Sequence, residues 1–104
     1  MSEHFEAKLS IPQDHPALPG HFPGAPVVPG VLLLDALIEA AEARLGRALR
    51  VVGVPRAKFL APLLPGPSAR AVLALEGERL GFIVRQEGRL IAEGTFALSA
   101  EPAP

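Results

Sequence analysis

From Gly30 to Leu45 the residues spell a helix that is apolar round most of its circumference. Pro29 stands just ahead of it, Gly46 stops it, and Arg44 near its end suits the C-terminal dipole. The acidic residues Asp35, Glu39 and Glu42 fall at i, i+4 and i+7, which is one stripe, and the remaining surface is Leu, Ile, Val and Ala. A helix of this kind has to be wrapped by other elements. The wrapping material is β-rich. Phe5 to Ile11 alternates apolar Phe5, Ala7, Leu9 and Ile11 with polar Glu6, Lys8 and Ser10, the period of a half-buried strand, and Pro12 ends it. Further strand-like segments lie near Leu49–Phe59, Ala69–Glu76, Leu80–Arg85 and Arg89–Leu98, separated by Pro65-Gly66-Pro67, Gly77-Glu78 and Glu87-Gly88. Such spacing predicts an antiparallel meander. The expected fold is α+β, a sheet curled around a central helix, with residues 1–104 forming one domain and only Ala100 to Pro104 fraying as a tail.

A chain of 104 residues builds a modest core, so burial against a second copy is expected to add to its stability. The net charge of −1 lacks the basic excess with which proteins displace counterions from nucleic acid, so DNA and RNA are not expected partners. Zero cysteines exclude disulfides, thiolate zinc sites and a cysteine nucleophile. With no charged leader and no long apolar run, a cytoplasmic protein with no membrane partner is expected.

Three residues could carry chemistry. From Pro16 to Pro29, five prolines and two glycines occupy fourteen positions, which excludes regular structure and predicts a rigid loop. It holds His21, whose imidazole can accept and return a proton near neutral pH; a lone loop histidine also fits a surface or capping role. His4 and His15 have no comparable setting. Asp35 lies five residues beyond Gly30, roughly 7–8 Å along the axis, with its side chain tilted back toward the helix start. It is either a proton-transfer group for something docked there or an aspartate satisfied by the dipole and solvent. Gly30 opens the helix, where free backbone N–H groups can receive a carbonyl gaining negative charge. Arg47, Arg50, Arg56 and Lys58 come after the helix as a basic collar or as ordinary solvated charges.

Together these parts resemble the beta-hydroxyacyl-acyl-carrier-protein dehydratases of the hotdog fold. That family carries a Gly-His-Phe-Pro-Gly loop, a Pro-Gly, and a buried helix bearing Glu or Asp, found here as Gly20 to Gly24, Pro29-Gly30 and Asp35, the last fourteen positions after the histidine. Similarity continues through Lys58-Phe59 and Pro62 to Gly66. The aspartate matches the isomerising branch, and Glu39 stands where the family usually has Gln. The short stretch before His21 looks most like the small dehydratase-like proteins of aryl-polyene and related lipid gene clusters. The resemblance implies a homodimer or higher oligomer with acyl tunnels between subunits. His21 would be the base, Asp35 of the other chain would protonate the β-hydroxyl, and the Gly30 N–H would hold the thioester oxygen. It further implies Phe22, Pro29, Val31 and Phe59 as substrate contacts and a 3-hydroxyacyl thioester of an acyl carrier protein or coenzyme A as substrate. If the basic residues after the helix form a collar, Arg56 and Lys58 are its candidate docking groups for an acidic carrier protein. No metal or cofactor is implied, because the thioester already acidifies the α carbon. Hotdog thioesterases and non-catalytic acyl-binding or scaffold subunits are the alternatives.

Overall fold

In the computed structural model, which describes residues 2–15 and 27–100, the strand-forming alternation starts at the N-terminus. Strand β1, Ser2–Leu9, begins earlier than expected and stops two residues sooner. Its partner strand, Ala69–Glu76, begins directly opposite Leu9, so nothing in that strand remains to pair with Ser10 and Ile11. Ile11 is nevertheless buried, and its carbonyl accepts the Gly66 N–H at 2.8 Å.

The helix α1 spans Gly30–Leu45 as predicted, and Gly46, in the left-handed region at φ 71°, ends it by donating to Glu42 O at 2.9 Å. Leu33, Leu37 and Ala41 form its buried stripe; each leucine contributes about 1.5–3 kcal/mol of transfer free energy. The sheet curls over the helix from one side and leaves Val31, Asp35, Glu39 and Ala43 as an exposed stripe. Glu42, seven residues beyond Asp35 on the same face, is half-buried because its Oε2 accepts the Leu49 N–H at 2.8 Å, tying the helix to the connection after it.

Strands β2 (Val51–Phe59), β3 (Ala69–Glu76), β4 (Arg79–Gln86) and β5 (Arg89–Leu98) complete an antiparallel sheet. Its order is β1-β3-β4-β5-β2. Only β3, β4 and β5 form the expected meander; β2 crosses to the far edge and pairs with β5, because β1 already occupies the free side of β3. The β4–β5 turn places both Glu87 (φ 52°) and Gly88 (φ 78°) at positive φ, the geometry that matches the twist of flanking strands. Inner-face residues of β3, β4 and β5 alternate into the core, where the Phe82 and Phe96 rings lie 5.1 Å apart. As an edge strand, β2 tolerates Pro55 and two register shifts. It leaves Val52, Val54 and Phe59 exposed.

Candidate active site

Helix α1 begins without a side-chain cap, since Pro29 occupies that position. The N–H groups of Leu32 and Leu33 both turn back to Pro29 O, at 3.0 and 3.2 Å, and those of Gly30 and Val31 have no acceptor among the described residues. This helix start opens on a cavity of about 590 Å³ bounded by Val27–Gly30, Leu33, Phe59–Leu63 and Ile91. Every described side chain in that lining is apolar, so among the described residues the polar groups available to a bound molecule come from backbone. A volume of this size lies within the range of pockets for small organic ligands.

Phe59 explains why residue 30 is glycine. The ring lies so close that a Cβ at position 30 would come within 2.9 Å of Cζ and 3.1 Å of Cε1. The wall opposite is held by the Val28 N–H, which donates to Leu63 O at 3.0 Å, and by the Leu60 and Ala61 N–H groups, both on Ile91 O at 2.7 and 3.2 Å.

Of the residues singled out in the sequence, Gly30, Pro29 and Phe59 meet at the cavity. Val31 does not line it and is 68% exposed. Asp35 is exposed on the same helix stripe, as is Glu39, so within one protomer the carboxylate faces away from the core. Within one protomer the Glu39 charge therefore stands in solvent. His21 and Phe22 lie outside the described residues. Arg56 and Lys58 share the sheet face opposite Phe59, with Glu93 directly across from Lys58 and hydrogen-bonded to Arg56 at 2.9 Å. Arg47 and Arg50 sit in the exposed connection ahead of β2. Among the described residues, no three His, Asp or Glu side chains could hold a metal ion, and no helix is long and apolar enough to cross a membrane.

Sequence reasoning missed the cavity wall from Leu60 to Leu63 and Ile91, and it missed Gln86 behind it. The signal for Gln86 was present. Leu80, Phe82 and Val84 alternate toward the core, and the same period puts position 86 inside.

A five-stranded antiparallel sheet carrying one long helix, with an apolar cavity at that helix's N-terminus, defines a protein of the hotdog class. Residues 1–95 match the model of the ApeI-like family, described as ApeI dehydratase, and the chain belongs to that family. It is 36% identical over 107 residues to the 3-hydroxyacyl-[acyl-carrier-protein] dehydratase FabZ of Thermus thermophilus, covering 92% of this chain and 72% of the relative. An uncharacterized protein from Erwinia carotovora subsp. atroseptica superposes with a TM-score of 0.82 at 30% identity, covering 94% of this chain and 84% of that one. The dehydratase heterocomplex ApeI:P from Xenorhabdus doucetiae shares the fold, with a TM-score of 0.80 at 22% identity over 94% of this chain and 93% of that one.

Proposed function

We propose that this protein is a hydro-lyase that reversibly dehydrates 3-hydroxyacyl thioesters to trans-2-enoyl thioesters, the activity for which its FabZ relatives are named. The observation that carries the reading is the apolar cavity opening at the Gly30 N–H, which has no acceptor among the described residues. An acyl chain fits its walls, and a thioester carbonyl fits its polar end. In the dehydration direction His21 takes a proton from the α carbon. The electron pair moves onto the carbonyl oxygen, where the Gly30 N–H stabilises the developing charge without reorganisation. As the enolate collapses, the α–β double bond forms, the β C–O bond breaks, and Asp35 delivers the proton with which the hydroxyl leaves as water. No electrons are gained or lost overall, and the thioester supplies the α-carbon acidity for which other lyases recruit a cofactor.

The exposed position of Asp35 supports a site completed by a second copy, with His21 of one protomer working against Asp35 of the other. The edge strand β2, with Val52 62% and Val54 41% exposed, is the surface on which two sheets would join. Such a dimer would cover the exposed helix stripe and give the small core its additional burial. An acyl carrier protein is the proposed substrate carrier, with Arg56 and Lys58 on the outer face as its docking groups. Glu93 already satisfies part of their charge. A cytoplasmic location goes with this reading.

The test is incubation with crotonyl-pantetheine thioester, following water addition and free thiol separately. Hydration to the 3-hydroxyacyl product with no thiol release is expected. Thiol release would point to a thioesterase, and neither change to a binding subunit.

A further inference from the structure

One wall of the cavity is made by residues 60–63, the first half of a strap, residues 60–67, that is tied down on both sides. Leu60 and Ala61 hang on Ile91 O, Leu63 O holds the Val28 N–H, and Gly66 reaches Ile11. The remaining tie is Gln86, a polar residue in the core, only 5% exposed. Its Oε1 accepts the Leu64 N–H at 2.9 Å, and its Nε2 donates to Leu64 O at 2.9 Å and Pro67 O at 3.0 Å. Reversing the amide would set a carbonyl against two carbonyls, so one orientation alone satisfies all three bonds. A buried amide is tolerated only because it is fully bonded. A leucine would continue the apolar inner face of β4 at no such cost, so what glutamine adds is the fixed strap.

Behind the strap lies a second space of about 180 Å³, bounded by Pro62, Leu64, Gln86, Glu87, Arg89 and Ile91. Pro62 and Ile91 face both spaces. From this geometry we infer that Gln86 sets the length of acyl chain the protein accepts, by pinning Leu64 and Pro67 so that Pro62 and Ile91 close the cavity. The inference rests on the acyl-thioester reading of the cavity. Loosening the strap joins the two spaces and lets a longer tail run on. Leu64 lines the second space and not the first, so a bulky side chain there blocks the extension and leaves the cavity itself untouched.

The experiment measures binding of unreactive acyl-pantetheine amides, from butanoyl to tetradecanoyl, by calorimetry, beside hydration of enoyl-pantetheines of the same lengths. In the parent protein affinity should rise about fourfold per buried methylene and then level off where the wall is met. Gln86→Leu should carry the rise on by several methylenes. Gln86→Glu, which keeps the acceptor and loses both donors, should shift it in the same direction and serves if the leucine variant does not fold. Adding Leu64→Trp should restore the parental plateau, and Leu64→Trp alone should leave the profile unchanged. A plateau at the parental length in a cooperatively melting Gln86 variant, or an equal loss at every length, would overturn the inference. Absence of hydration at all lengths with the plateau shift intact would instead remove the dehydratase reading and leave this one standing.

Discussion

Asp35 has two possible lives, as a solvated charge on an open helix stripe or as an acid in a shared site. An amide substitution separates them, because Asn keeps the shape and the exposure while losing the proton. Asp35→Asn should retain the fold and lower enoyl hydration by roughly 10²–10⁴, the usual contribution of a positioned acid or base. His21→Ala should cost a similar factor, measured in the same initial-rate assay. Parental rates in either variant would return that residue to an ordinary surface role. Both were singled out in the sequence because the Gly-His-Phe-Pro-Gly loop and the helix carboxylate stand in the order the family resemblance requires. Gln86 was not singled out, although its strand period reached it, because its three partners are backbone groups at Leu64 and Pro67. Backbone partners leave no residue type to read.

At the scale of elements, α1 was predictable to the residue because proline and glycine punctuate both ends. Strand β2 starts two residues later than its apolar pattern, since the Leu49 N–H is held by Glu42 and Arg50 O by the Ser99 N–H. Its pairing with β5 joins segments some forty residues apart, as in Arg56 with Thr95, and local periodicity cannot specify so distant a partner. The contact between β2 and α1 has a direct consequence. Gly30→Ala puts a methyl 2.9 Å from the Phe59 ring, so the ring must swing away from the helix start. Overpacking of this kind costs about 1–3 kcal/mol. A lowered melting temperature and weaker substrate binding are expected, and Phe59→Leu in the same chain should recover the stability. A Gly30→Ala protein with parental stability would mean that the ring gives way freely.

For the whole molecule, the exposed stripe of α1 and the uncovered β2 edge both call for a second copy. Sedimentation should show a dimer at low micromolar concentration. Val54→Lys, which places a charge on that edge, should shift the equilibrium to monomer and remove activity with it. A fully active monomer would contradict the shared site. The proposed docking of an acidic carrier belongs to this scale too. Reversing charge at Arg56 and Lys58 should raise KM severalfold for carrier-bound substrate, with an effect that fades as salt screens the encounter. A short pantetheine substrate should be nearly unaffected, and equal effects on both would mean that the residues dock nothing. A site built from two chains is the central claim, and mixing inactive variants tests it directly. When His21→Ala and Asp35→Asn protomers are unfolded together and refolded, half the dimers should be hybrids with one intact site each, restoring roughly a quarter of parental hydration. No recovery in a mixture shown to contain hybrid dimers would place both residues in one protomer and contradict the shared site.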